Sequence, residues 1–211
     1  MEFLDPQLEE YATGLSTEPS EVLQELERET WAKVLIPRML SGHLQGRFLS
    51  SISHLMNAEH ILEIGTYTGY SAICLSEGLK SGGHIHTIDI NEELEPMVSR
   101  YFAKANIQDK VTFHIGNALE VVPRLNEEWD LVFIDADKVN YSNYFDLVIE
   151  RVRTGGCIIA DNVLWSGNVL EEDPDTDTKA LMEFSKKVHE DARVENVLLP
   201  LRDGLMMCRK I

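Results

Sequence analysis

The order of apolar runs and helical stretches predicts an α/β fold, a mostly parallel sheet with helices on both faces. Three observations support it. From residue 61 onward short apolar runs alternate with helical stretches, the runs are apolar at successive positions, and the chain closes on two further runs divided by Asp203-Gly204. Strands apolar on both sides belong in a sheet covered from each face. Two runs split by Asp-Gly read as a hairpin, which a purely parallel sheet cannot contain, so an antiparallel edge strand is expected.

Residues 18–39 form the first helix candidate: Pro19 suits a first turn after Thr17, and Val22, Leu23, Leu26 and Thr30 recur at helical spacing. A second helix is expected over 45–56, with Phe48, Leu49, Ile52 and Leu55 or Met56 on one face. Strands follow over 61–65, 84–90, 111–116, 129–136 and 157–161, joined by helices over 70–79, 92–105, 119–125 and 142–152. An acidic loop, 173–178, and a last helix, 178–190, lead to the hairpin runs 194–202 and 205–211.

A chain of 211 residues with 44% hydrophobic side chains builds one domain with its own core. The start carries Glu2, Asp5, Glu9 and Glu10 and lacks the basic-then-apolar order of a secretory signal. No apolar run approaches the roughly 20 residues of a membrane helix. A soluble, cytoplasmic protein is expected. Cys74, Cys157 and Cys208 are odd in number, far apart and among apolar neighbours, so they read as buried thiols rather than disulfides or zinc ligands. The formal charge of −17 opposes phosphate backbones and anionic lipid, so neither nucleic acid nor a membrane is an expected partner.

The loop Glu63-Ile64-Gly65-Thr66-Tyr67-Thr68-Gly69-Tyr70-Ser71 follows the first strand and opens a helix. Ligands of open α/β sheets bind beyond the carboxyl ends of strands, and glycine lets the backbone come close. A tight turn needing glycine explains the loop equally well. Asp89, at the end of the next strand, favours the ligand reading because a carboxylate there can accept from both hydroxyls of a ribose. Asn117-Ala118 follows the third strand and could flank an adenine. The spacing lacks the three-glycine dinucleotide pattern.

The fourth strand ends in Asp135-Ala136-Asp137-Lys138 and the fifth in Asp161-Asn162. Asp135, Asp161 and Asn162 offer three oxygen donors to one crevice, the preference of a hard cation such as Mg²⁺. Helix or turn caps are the competing explanation. The seven histidines show no paired metal spacing.

These residues closely resemble the cation-dependent O-methyltransferases, the family containing the caffeoyl-CoA and catechol O-methyltransferases. The similarity runs from Glu18-Pro19 and Glu29-Thr30 through 39–48, 62–71 and 132–138 to Asp161-Asn162-Val163-Leu164-Trp165 and 199–204. It implies the class I methyltransferase fold, Rossmann-like, with seven strands and an antiparallel final one. Residues 1–57 would cover the cofactor site and 58–211 form the core. It implies a divalent cation on Asp135, Asp161 and Asn162, with Mg²⁺ first and Mn²⁺ or Ca²⁺ as alternatives, and Lys138 as general base. Glu63, Gly65, Tyr67, Ser71, Asp89, Ala118 and Asp135 would line the S-adenosylmethionine pocket, Met39 and Ser41 would close over the sulfonium, and Trp165 would stand beside a catechol-like phenolic acceptor. Family members are commonly homodimers.

A catechol chelating the cation loses a proton more readily, Lys138 would accept it, and in-line placement would supply much of the rate. The stretch 169–178 departs from plant members, carrying Glu171, Glu172, Asp173, Asp175 and Asp177 with no Lys or Arg, which opposes the phosphates of a CoA ester. Gln45 stands where some animal catechol enzymes have lysine. Two rival readings are a nicotinamide-dependent oxidoreductase, which the absent third glycine disfavours, and a non-catalytic binding protein, which has no need of Lys138 beside three oxygen donors.

Overall fold

The computed structural model describes residues 5–211; Met1 to Leu4, including Glu2 of the acidic start, lie outside the described residues. Three helices precede the sheet: α1 (Pro6–Gly14), α2 (Glu21–Lys33) and α3 (Gly42–Met56). The sheet strands are β1 (His60–Ile64), β2 (His84–Asp89), β3 (Val111–Ile115), β4 (Trp129–Ile134), β5 (Val152–Ala160), β6 (Val194–Leu199) and β7 (Leu205–Lys210). Between them run α4 (Tyr70–Ser76), α5 (Glu95–Lys104), α6 (Ala118–Val121), α7 (Tyr141–Ile149) and α8 (Thr176–Glu190). Among the described residues no helix is long and apolar enough to cross a membrane.

The strands lie in the order β3-β2-β1-β4-β5-β7-β6, with β1 to β5 parallel and β7 antiparallel to both its neighbours. The expected hairpin and antiparallel final strand are present, but β7 is interior, and the edge strand β6, antiparallel to β7, runs the same way as β5. Burial decides the order. Leu205, Met206 and Cys208 of β7 are buried, whereas Val197 and Leu198 of β6 are exposed.

Adjacent residues serve opposite faces. Ile61, Phe133 and Ile159 pack with Leu23, Leu26 and Leu49 on one side, while Leu62, Val132 and Ile158 pack with Tyr141, Phe145 and Phe184 on the other. That double burial is what the continuous apolar runs demanded. All three cysteines are buried and free.

Three elements depart from the sequence reading. The helix expected over 18–39 covers only Glu21–Lys33, capped by Ser20; beyond it Ile36 adopts φ 60° and Pro37, lacking an N–H, opens a short 3₁₀ turn. The strand expected over 157–161 starts at Val152, because Gly155 at φ 77° lies in an irregular stretch between the pairs Trp129–Val152 and Leu131–Cys157. Helix α1 was not expected: it buries no residue and so shows no apolar stripe, and it rests on the Asp5 cap and Pro6.

The histidines include one cluster. His60, His84, His86 and His114 share the sheet face of Leu62 and Ile88. His86 Nδ1 lies 2.9 Å from His114 Nε2, and His86 Nε2 lies 3.5 Å from Glu127 Oε1. Burial pushes His86 down to about 4 from 6.5; Glu127 opposes the shift, and His84 and His114 add to it. The unfolded chain therefore takes this proton first as pH falls. The stabilising contribution is complete above 6.5 and lost as pH drops through about 4. In melts recorded across that interval, His86→Leu should show a shallower fall of Tm with pH than the parent; parallel slopes would refute the assignment.

Candidate active site

The two strand tips that carry the oxygen donors are fixed by backbone pairing that runs one residue past each strand. Asp135 N donates to Ile64 O at 2.8 Å, and Asp161 N donates to Ile134 O at 2.9 Å. Gly65 N likewise donates to Ile88 O at 2.9 Å. Gly65, Asp135 and Asp161 thus form a row along the crest where the strand order reverses between β1 and β4, the usual place for a ligand crevice.

Lys138 brings two of the three donors together. Its buried Nζ donates to Asp135 Oδ1 at 3.0 Å and to Asn162 Oδ1 at 2.8 Å. Its third hydrogen bond goes to Tyr141 OH at 2.6 Å, and that hydroxyl donates to the Asp161 carbonyl at 2.9 Å. Asp161, only 2% exposed, is not bonded to Lys138. Its Oδ2 accepts from Gln45 Nε2 at 2.7 Å and its Oδ1 from Asn162 N at 2.7 Å. Burial, reinforced by the charge of Asp135, raises the Asp161 carboxyl to about 7.

Asp135, Lys138, Asp161, Asn162, Trp165 and Met39 line one open cavity of about 860 Å³. Trp165 presents its ring 5.5 Å from Lys138 Nζ. The wall also carries Glu9, Asp137, Asp177 and Asp203, with Arg38 and Arg202. Five wall residues, Ile36, Asn162, Trp165, Ser166 and Arg202, hold positive φ without being glycine. Each costs of order 1–3 kcal/mol and persists because its surroundings over-determine it.

The donor set fits a hard cation in kind: two carboxylates and one amide oxygen, with the Lys138 ammonium standing in as the positive charge between two of them. Among the described residues no group of three or more His, Cys, Asp or Glu forms a metal site. Without its amide the candidate trio falls short of that count.

The other expected residues gather around β1 and β2 and lie off the cavity wall. Glu63 is fully buried and accepts from Thr87 Oγ1; burial raises its carboxyl to about 8, with the hydroxyls of Ser71 and Thr87 opposing. Its Oε1 has no hydrogen-bond partner. Asp89 accepts from Tyr67 N at 2.7 Å and Asn91 N at 2.9 Å, which ties the glycine loop to the end of β2. Tyr67 OH donates to Ile36 O at 3.2 Å. Ser71 is buried in α4, Ala118 is buried at the start of α6, and Asn117 caps that helix through Leu119 N at 2.9 Å. Met39 is exposed at the cavity, whereas Ser41 is buried and its carbonyl accepts from Arg202.

Sequence reasoning left out three residues that hold this arrangement. Tyr141 lies outside the motifs read in the sequence, Gln45 enters there only as a departure, and Arg202 only within the similar stretch 199–204. Tyr141 could have been found from its i+3 spacing after Lys138.

A family profile described as O-methyltransferase matches residues 13–211. Caffeoyl-CoA O-methyltransferase 1 of Eucalyptus globulus is 35% identical over 212 residues, covering 94% of this chain and 85% of that protein. Caffeoyl-CoA O-methyltransferase of Medicago sativa is 34% identical over 213 residues, again covering 94% and 85%. The O-methyltransferase of Bacillus cereus, solved in complex with SAH, superposes with a TM-score of 0.90 at 30% identity, covering 97% of each chain. A Streptomyces achromogenes O-methyltransferase involved in tomaymycin synthesis, solved with SAM, gives 0.88 at 26%, covering 97% of this chain and 96% of that one.

Gly65 offers a test of the crest. Its φ is 103°, and a Cβ there would lie 1.8 Å from the Asp135 carbonyl oxygen. Gly65→Ala should destabilise the protein by at least roughly 3 kcal/mol in denaturant melts. A midpoint equal to that of the parent would show that the crest yields easily.

Proposed function

This chain belongs to the O-methyltransferase family and is an S-adenosylmethionine-dependent O-methyltransferase, and on that premise we propose that it methylates one hydroxyl of a small catechol-like phenol with a divalent cation held by Asp135, Asp161 and Asn162. The observation that carries the proposal is the place of Lys138. Its Nζ lies within 3.0 Å of both Asp135 Oδ1 and Asn162 Oδ1, on the wall of an open cavity beside the Trp165 ring. The oxygen-only donors favour Mg²⁺, with Mn²⁺ or Ca²⁺ next. When bound, the cation makes a chelating hydroxyl more acidic, and S-adenosylmethionine supplies the methyl group.

The remaining work falls to the chain's own side chains. Lys138, as the neutral amine, would take the acceptor's proton at Nζ, and Tyr141, whose hydroxyl lies 2.6 Å from that nitrogen, fixes its direction. Trp165 offers a flat face to the acceptor ring, and Met39 shields the reacting atoms from water. We assign Gly65, Tyr67, Ser71, Asp89 and Ala118 to the S-adenosylmethionine side, supported by their grouping at the ends of β1 to β3. Asp89 would accept from the ribose hydroxyls with the lone pairs that Tyr67 and Asn91 leave open. Glu63 lies behind them, and its unpartnered buried oxygen fits a hydrogen-bond donor on the cofactor side.

The relatives named for caffeoyl-CoA carry their acceptor on CoA by name. Here four carboxylates, Glu9, Asp137, Asp177 and Asp203, line the cavity, and Arg202 is occupied by the carbonyls of Leu40 and Ser41. Such a wall opposes CoA phosphates. A free phenolic acceptor, neutral or cationic, fits it better.

Asp135→Ala should keep its fold while turnover of a catechol falls on the order of a hundredfold or more. Full turnover by this variant in the presence of EDTA would remove the cation from the mechanism. A kcat/KM comparison of a free catechol with its CoA ester should favour the free compound, and a strong preference for the ester would reverse the acceptor assignment.

A further inference from the structure

We infer that Gln45 orients Asp161 and that Arg202 sets which end of the Gln45 amide faces it. Gln45 is fully buried on α3. Its Nε2 donates to Asp161 Oδ2 at 2.7 Å, and its Oε1 accepts from an Arg202 guanidinium nitrogen at 3.1 Å. The same nitrogen donates to Leu40 O at 2.9 Å and to Ser41 O.

A guanidinium only donates, so Arg202 takes the amide oxygen of Gln45 and leaves the NH₂ to face Asp161. The flipped amide would set NH₂ against the guanidinium and oxygen against the carboxylate. Asp161 is thereby held by one N–H on each oxygen, Gln45 on Oδ2 and Asn162 on Oδ1, which fixes the plane of the carboxylate. Each oxygen has accepting capacity beyond that one bond, and Asp161 lines the cavity. A lysine in place of Gln45 has no acceptor to offer Arg202, so the glutamine and the arginine form one device.

Arg202 reaches this position from the turn between β6 and β7, in a left-handed conformation at φ 50°. Its hold on Leu40 and Ser41 ties in the segment that carries Met39 to the cavity. Seating of that segment and presentation of Asp161 are therefore one event, transmitted through a single guanidinium. Gln45 and Arg202 are positioning residues, and the inference rests on the proposal that Asp161 helps to hold a divalent cation.

The test is a Mn²⁺ titration followed by electron paramagnetic resonance, with S-adenosylmethionine affinity measured by calorimetry on the same samples. Gln45→Met keeps the shape and removes both polar ends; Arg202→Met removes the donor that meets the Gln45 oxygen. Each should weaken Mn²⁺ binding by roughly 10- to 100-fold, and in Gln45→Met S-adenosylmethionine should bind as in the parent. The double variant should bind Mn²⁺ no more weakly than Gln45→Met alone, because Arg202 acts through Gln45. Parent-like Mn²⁺ affinity in either variant, multiplying effects in the double variant, or S-adenosylmethionine affinity falling in step with Mn²⁺ in Gln45→Met would overturn the inference alone. A parent protein that binds no Mn²⁺ would instead remove the cation reading, and the inference with it.

Discussion

Two carboxylates on adjacent strand tips, Asp161 buried and Asp135 half-buried at the wall of an open cavity, are the constraint around which this molecule is arranged. Their peptide N–H groups are tied into the sheet, so Asp135 and Asp161 cannot separate without undoing the pairing that holds β1, β4 and β5 together. Burial raises the Asp161 carboxyl to about 7, and the like charge of Asp135 adds to the shift. The surroundings answer with positive charge and donors. Lys138 is buried against Asp135 and Asn162, Gln45 donates to Asp161, and Arg202 stands behind Gln45. A pair of carboxylates whose only purpose was stability would be better replaced by apolar side chains. Their retention at the mouth of a cavity is the physical signature of a working site.

Much of this was legible in the residue order because it depends on local pattern. Apolar runs that stop on Asp, Asn or Gly mark strand tips, so the residue order alone places Asp135, Lys138, Asp161 and Asn162 in one crevice. The same logic located Asp89 and the glycine loop. What stayed hidden depends on partners distant in sequence. Gln45 meets Asp161 only because α3 lies across the sheet, and Arg202 meets Gln45 only because the last turn folds back over it. Neither pairing leaves a periodic trace. Helix α1 was missed for the opposite reason, since a helix that buries nothing has no stripe to see.

Structure and function share residues here instead of dividing them. Gly65 is required by the approach of the Asp135 carbonyl, whatever else passes near the loop. Asp89 secures Tyr67 N and its own turn, and Asn117 caps α6. The tight-turn reading and the ligand reading of these positions are thus compatible: the caps and close contacts build a rigid crest, and rigidity is what a transfer reaction between two bound molecules needs. Five of the non-glycine residues at positive φ stand on the cavity wall, where strained backbone is held by its surroundings.

The interior place of β7 bears on how the protein is made. Until the hairpin docks, β5 exposes an unpaired flank whose residues, Ile158 and Ile159, are among the most apolar in the chain. Such a flank invites pairing with other chains, so half-finished molecules are the ones exposed to aggregation. The step that covers it is also the step that delivers Arg202 to Gln45. Newly made chains therefore acquire solubility and a competent site together, and a cell would hold few copies that have one without the other.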